Sequence, residues 1–285
     1  MSTVTVVMTM FNAEQFVADA IRSVLAQTYP DFELLIIDDG STDESNLSAS
    51  AFKDPRISLI WQPHSGSAGA TNTGIKLARG QFVAMLDARD RWSPDKLERH
   101  VRQLRNNPQL GLSYDQSHLL GENGEALRQH LLPKSRGLAP HDILCGFGPE
   151  ARSSVVWRME ALKDLSFDSG IGRVCFLNEI LVASATWECC LRLRSLTNWH
   201  LEGLLLPLTW VRADTNQADF DETDWRRALR TVEAFFPELI HQHGDFARER
   251  RLGVNSAAAL TANTRRTASQ LFDLRPVAAQ AACCP

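Results

Sequence analysis

The chain of 285 residues lacks any apolar run long enough to cross a bilayer, so no membrane span is expected. Its start, Met-Ser-Thr-Val-Thr-Val-Val, has neither the basic residues nor the small-residue cleavage site of a secretory leader. The expectation is a cytoplasmic protein. There is no positive excess either: 30 Lys and Arg stand against 34 Asp and Glu, a net charge of −4. That balance gives no general attraction to nucleic acid or to anionic lipid. The six cysteines (Cys145, Cys175, Cys189, Cys190, Cys283, Cys284) show no CxxC spacing and read as reduced cytosolic thiols. No Gly-x-Gly-x-x-Gly follows the first strand, against a dinucleotide site, and no Walker A lysine motif occurs.

What is present is centred on Leu34–Asp43. Four apolar residues, Leu34 to Ile37, read as a strand buried on both faces. The run stops at Asp38-Asp39-Gly40-Ser41, turn chemistry with two adjacent carboxylates. In an open α/β sheet the carboxyl edge of the strands is where ligands bind, which makes Asp38 and Asp39 site candidates. The alternative is a capped turn whose acids only hold a loop.

Ahead of this strand, Val4–Met8 reads as another, with Thr9-Met10-Phe11-Asn12 as its loop. Asn12 and Gln15 have capping-box spacing, and Phe16, Val17, Ala20, Ile21, Val24 and Leu25 mark a helix face. Strand, helix and strand with short links predict a right-handed parallel unit. Ile57–Trp61 is a third strand, and His64–Gly69 is a small-residue loop whose backbone could approach a ligand. Ala70–Arg79 reads as a helix closed by Gly80. Phe82–Leu86 is a fourth buried strand that again ends in acid, Asp87-Ala88-Arg89-Asp90. A helix with Ser93 as N-cap and Pro94 at its first position follows, burying Leu97, Val101 and Leu104.

These segments together resemble family 2 inverting glycosyltransferases with a GT-A nucleotide-sugar domain. The residues that carry the resemblance are Thr9-Met10-Phe11-Asn12, Gln27–Glu33, Asp38-Asp39-Gly40-Ser41 and Leu86-Asp87-Ala88-Arg89-Asp90. Ala151–Asp168 resembles the segment ahead of the acceptor site, and Trp187–Leu193 the helix that normally carries the catalytic base. The resemblance covers roughly residues 3–216. It implies an α/β fold with a mostly parallel central sheet flanked by helices. It implies a nucleoside-diphosphate sugar donor, of UDP type, and a saccharide or glycolipid acceptor. By the same resemblance Thr9, Phe11, Asn12, Asp38, Asp39, Gly40, Asn72 and Asp87 would bind the nucleotide, with Asp39 accepting from the base. A divalent metal, Mn²⁺ or Mg²⁺, would neutralise the leaving diphosphate, with Asp87 and Asp214 as its protein ligands. A carboxylate would take the proton of the attacking hydroxyl.

The chain departs from the family pattern at four positions. Arg89 stands where a metal-binding Asp is expected, and a guanidinium cannot ligate a cation. Thr71 stands where an Arg is expected, and Thr186 where the base Asp belongs. Asp214 takes the place of a His. Glu188 is the nearest acid that could serve as base, but it lies about 200° round the helix from Thr186. Two readings follow. In one, Arg89 replaces the metal's charge in a working transferase, since Arg suits bidentate phosphate contact. In the other, the chain is a catalytically inactive nucleotide-binding or scaffold protein. Arg89 could also simply pair with Asp87 or Asp90.

The expected division is a transferase domain over 1–216 and a helical extension over 217–285 with a disordered end. Within the extension, Asp221–Glu238 is amphipathic through Trp225, Leu229, Val232, Phe235 and Phe236, and Phe246–Thr267 reads as helical. Cys283-Cys284-Pro285 does not complete a prenylation motif.

Overall fold

The computed structural model describes residues 2–121, 124–149, 151–169, 172–212 and 222–241. The first half runs β1 (Val4–Met10), α1 (Val17–Leu25), β2 (Phe32–Asp38), α2 (Ser45–Ser50), β3 (Ile57–Trp61), α3 (Gly66–Leu77) and β4 (Phe82–Asp87). Next come β5 (Arg91–Trp92), α4 (Lys96–Asn106), β6 (Leu110–Leu120), β7 (Ala126–Leu131) and α5 (Pro140–Leu144). A 3₁₀ turn, Arg152–Ser154, leads into β8 (Val155–Arg158) and α6 (Met159–Asp164). The remainder is β9 (Phe167–Asp168), β10 (Val174–Cys175), α7 (Ala185–Leu196), β11 (His200–Arg212) and α8 (Glu222–Phe235).

The main sheet has the order β3-β2-β1-β4-β8-β6-β11-β5, with β7 added to β6. β3, β2, β1 and β4 are parallel, as the strand–helix–strand pattern predicts. Beyond β4 the sheet becomes mixed: β8 is antiparallel to both β4 and β6, while β11 runs parallel to β6. The expectation of a mostly parallel sheet therefore holds for one half of it.

Alternation along the strands divides the core in two. Val7, Leu35, Ile37 and Met85 face one side, where Ile75 of α3, Leu191 and Leu193 of α7 and Trp225 of α8 pack. Val6, Met8, Ile36 and Leu86 face the other, against Ile21 and Val24 of α1 and Leu97, Val101 and Leu104 of α4. With both faces covered, the strands carry continuous apolar runs.

Local details differ from the sequence expectations for physical reasons. Thr9 and Met10 belong to β1, not to a loop. Asn12 makes no capping box; it sits at φ +46 and its Oδ1 accepts the Thr42 N–H at 2.8 Å, so α1 starts only at Val17. α3 begins at Gly66, within the segment expected as a loop, because its small residues let the helix lie close on β1. A Cβ at Gly74 would run into the Val7 side chain. α4 begins at Lys96 with Asp95 as N-cap rather than Ser93, whose carbonyl accepts from the Gln27 amide at 2.8 Å. Phe235 is 64% exposed, not core, although Phe236 packs against it. The helix expected over 246–267 and the chain end lie outside the described residues. Among the described residues no helix is long and apolar enough to cross a membrane.

Candidate active site

The carboxyl ends of β2, β1 and β4 meet at one edge. Met10 lies in register with Asp38 and Thr9 with Asp87, and the Asp39 N–H donates to the Met10 carbonyl at 2.8 Å. The acids read from two separate strand ends are thus neighbours across β1.

Asp39 is buried and organises the segment that leads into α3. Its Oδ1 accepts from Gln62 Nε2 at 2.6 Å, Ser65 N–H at 3.0 Å and Ser65 Oγ at 3.1 Å. Its Oδ2 accepts the Gly66 N–H at 2.9 Å and lies 2.9 Å from His64 Nδ1. Gly40, at φ +78, brings its backbone so close that a Cβ would meet the His64 nitrogen at 3.0 Å. Phe11 stacks on His64 with ring centroids 4.3 Å apart, and both rings are open to solvent.

The Asp87–Asp90 loop is clamped by the turn ahead of β8. Ser153 Oγ accepts the Asp87 N–H at 2.9 Å and donates to Asp90 at 2.5 Å, while its carbonyl accepts from Trp92 Nε1 at 2.8 Å. Arg152 donates to Asp87 Oδ2 at 2.9 Å, and the Arg89 N–H donates to Asp87 Oδ1 at 3.1 Å. Asp90 also accepts the Arg212 N–H at 2.9 Å. Burial, with the Asp87 charge second, pushes the Asp90 carboxyl up to about 7. The Arg89 and Arg212 guanidiniums lie 5.4 and 4.1 Å from the Phe16 ring. Burial and the like charges of Arg89 and Arg91 lower the pKa of Arg212.

Several expected nucleotide contacts are taken up by the fold instead. Asp38 is fully buried, accepting the Ser41 N–H at 2.9 Å and Asn46 Nδ2 at 2.8 Å. Asn72 is also fully buried. Its Oδ1 takes the N–H groups of Phe176 and Leu177, and its Nδ2 donates to the Leu177 carbonyl and to Glu179. That amide has no group left for a ligand. Glu188, expected as base, is buried in an ion pair with Arg192 at 2.6 Å, and burial raises its pKa. Thr186 is buried beside it on α7. Both are buried, as is every residue of α7 from Ala185 to Leu193. Asp214 lies outside the described residues.

The site does not fit a divalent cation. Asp87 already holds a guanidinium, its neighbour at position 89 is another, and Asp90 is a buried carboxyl that keeps its proton to near neutrality. Among the described residues no group of three or more His, Cys, Asp or Glu is arranged to hold a metal.

A buried polar cluster behind the site escaped the sequence pattern. Lys96, fully buried on α4, pairs with Asp115 of β6, which also meets His100 Nε2 at 2.9 Å and Thr209 Oγ1 at 2.7 Å. The only available sign was a Lys at i, i+4 from a His on the apolar face of a helix, a spacing that by itself reads as solvated charge.

A half-parallel sheet flanked by helices, with acids from the ends of β2 and β4 on either side of β1 and a glycine-start helix at its carboxyl edge, is the architecture of the GT-A fold. The comparisons agree. Residues 5–143 match the sequence model of Glycosyl transferase family 2. It is 38% identical over 122 residues to the Escherichia coli UDP-Glc:alpha-D-GlcNAc-diphosphoundecaprenol beta-1,3-glucosyltransferase WfgD, a match covering 42% of this chain and 47% of that one. It is 38% identical over 114 residues to the uncharacterized glycosyltransferase alr2836 of Nostoc sp., covering 39% and 35%. The matches thus span less than half the length of these curated relatives. Among solved structures, S. aureus TarS 1-349 in complex with UDP superposes with a TM-score of 0.63 at 17% identity, over 96% of this chain and 75% of that one. The mannosyltransferase PcManGT from Pyrobaculum calidifontis, with GDP-Man and Mn²⁺, gives 0.58 at 16%, over 95% and 81%. At such identities the superpositions bear on the fold alone.

Proposed function

We propose that this chain transfers a sugar from a nucleoside-diphosphate sugar, of the UDP type, to a hydroxyl of a saccharide or glycolipid acceptor, with inversion, in building a cell-surface polysaccharide. The observation that carries this reading is the meeting of Thr9, Asp39 and Asp87 at one sheet edge, between two kinds of ligand contact. On one flank the open Phe11 and His64 rings suit a stacked base. On the other, guanidiniums suit a diphosphate. The UDP of the TarS complex and the lipid-diphosphate acceptor in the name of WfgD support the choice of donor and acceptor class.

The chemistry is a single displacement. The acceptor oxygen bonds to the anomeric carbon as the bond from that carbon to the phosphate oxygen breaks, and the electron pair leaves on the diphosphate. The acceptor proton must pass to a base. Here a second reading has its own support. Thr186 is a poor base, and the Glu188 carboxylate is held in the core by Arg192. That favours a domain which binds the nucleotide without turnover.

Incubation with a panel of UDP-, GDP- and TDP-sugars and mixed glycan acceptors, read by release of nucleoside diphosphate, separates the two. Release that Asp87→Ala abolishes supports transfer. Nucleotide binding without release supports the inactive domain, and a protein that binds none of the panel refutes both.

A further inference from the structure

Two buried donors beside Asp87 have no acceptor. Arg152 Nε and Thr9 Oγ1 are each shielded from solvent and make no hydrogen bond. Buried donors are seldom left open because each loses its water without gaining a partner, so two together at this sheet edge point to a missing acceptor. They are neighbours: Thr9 lies in register with Asp87 on β1 and β4, and Asp87 Oδ2 carries the Arg152 guanidinium at 2.9 Å.

Charge tells the same story. Arg89 and Arg91 are close enough to Arg212 to disfavour its protonation, and Arg152 is close enough to Asp90 to favour its ionised form. Four guanidiniums, those of Arg89, Arg91, Arg152 and Arg212, therefore gather around Asp87, Asp90 and Asp19, of which Asp90 is a buried carboxyl raised to about 7, and the basic groups outnumber the acids. Such a cluster is completed by an anion carrying two or more charges and several acceptor oxygens.

We propose that Arg152, held in place by Asp87 and backed by Arg89 and Arg212, contacts the diphosphate of the donor and supplies there the charge of the divalent cation that this donor set does not fit. The inference rests on the donor-site reading above and deepens it. Asp87 then acts by aiming a guanidinium rather than by binding metal. Thr9 Oγ1 donates to the same ligand from below. Arg152 arrives with the turn before β8, its Nη2 held by Asp87 and its Nε left without an acceptor for a ligand oxygen.

Titration calorimetry on the full chain in EDTA tests this, with UDP and GDP set against UMP and GMP. Wild-type protein is expected to bind one diphosphate more tightly than its monophosphate, with less than about a twofold change when Mn²⁺ replaces EDTA. Arg152→Met should weaken that diphosphate about 10- to 100-fold, the worth of one charge-assisted contact, and the monophosphate much less. Arg152→Lys should recover part of the loss. If Arg152→Met does not fold, Arg152→Gln keeps the polarity and removes the charge, and the same loss is expected. Undiminished diphosphate affinity in a folded Arg152 variant overturns the proposal, as does wild-type binding that needs Mn²⁺; either result leaves the donor site standing. No binding of any nucleotide, with or without Mn²⁺, overturns the donor site itself.

Discussion

Asp224, near the start of α8, caps α7 from outside it: its Oδ2 accepts both the N–H of Ser184 at 3.1 Å and the Ser184 hydroxyl at 2.7 Å. Its Oδ1 takes the Val182 N–H at 2.8 Å. The first N–H groups of a helix have no partner within it, and a carboxylate there also answers the helix dipole. The contact joins the C-terminal helix to the one that carries Thr186 and Glu188, and Trp225 adds an edge-on contact to Trp187 at 4.6 Å.

Removing that cap should loosen both helices. Asp224→Ala is expected to cost about 1–3 kcal/mol, because the buried Ser184 N–H and hydroxyl and the part-buried N–H groups of Val182 and Ala183 lose their acceptor together. Asp224→Asn, which retains one oxygen, should cost less. Urea denaturation midpoints of the two variants decide it; equal stability of Asp224→Ala and wild type would show that α8 docks through its apolar face alone.

Much of the architecture could be read from local pattern, and the reasons are particular. The Leu34–Ile37 run and its abrupt Asp38-Asp39-Gly40 end are short-range signals, and β2 and its carboxyl edge follow them. The strand at Ile57–Trp61 is found as expected. Gly66–Gly69 reads as a loop by composition, yet close packing of α3 on β1 needs those small residues in a helix. Arg152 and Asp224 gave no local sign because their partners lie 65 and about 40 residues away. Asn72 and Glu188 were named from motif position. What their amide and carboxylate touch is set by the strap at 176–179 and by Arg192, which no spacing reveals.

The pair Lys96–Asp115 should behave as a buried ion pair whose halves depend on each other. Burial lowers the Lys96 pKa and the Asp115 charge opposes that. Lys96→Met leaves Asp115 and His100 without their cation and is expected to destabilise by about 3–5 kcal/mol. Lys96→Met combined with Asp115→Leu should lose clearly less than the sum of the single losses, since removing both charges removes the unpaired one. A double-mutant cycle by chemical denaturation reads this directly, and strict additivity would mean that the two charges are not coupled.

Two buried groups pull the pH dependence of stability in opposite directions. Asp90 is raised from 3.8 to about 7, so between those values the folded chain holds a proton that the unfolded chain has lost. Its stabilisation is complete below about pH 4 and is lost as pH rises through 7. His100 is lowered from 6.5 to about 4 by burial, with Lys96 second. Its neutral form supports the fold above pH 6.5, and that support is lost as pH falls toward 4. The two slopes oppose each other between about pH 4 and 6.5. Asp90→Asn removes only the first, so stability should fall toward acid more steeply than in wild type, by up to about 1.4 kcal/mol per pH unit. Denaturation midpoints from pH 4.5 to 7 check this, and parallel curves for the two proteins would refute it.

Asp39 offers a direct way to separate a fold role from a ligand role. Its carboxylate collects donors from Gln62, Ser65 and Gly66, so both oxygens are occupied without any nucleotide. Asp39→Asn turns one oxygen into an NH₂ group that must face a backbone N–H of Ser65 or Gly66, donor against donor. Charge-assisted acceptors of this kind contribute about 1.5–3 kcal/mol each, so the variant should melt earlier in the absence of any ligand. The Gln62–Gly66 segment carries His64, whose ring stacks on Phe11, so loosening it should also weaken base stacking. Nucleoside affinity and ligand-free stability are then expected to fall together. Ser65→Ala removes one hydroxyl donor and should show a smaller version of the same pair of changes. If Asp39→Asn keeps its full melting temperature and loses only nucleotide affinity, the carboxylate turns to the base when ligand arrives, and the network at Ser65 and Gly66 belongs to the empty site alone.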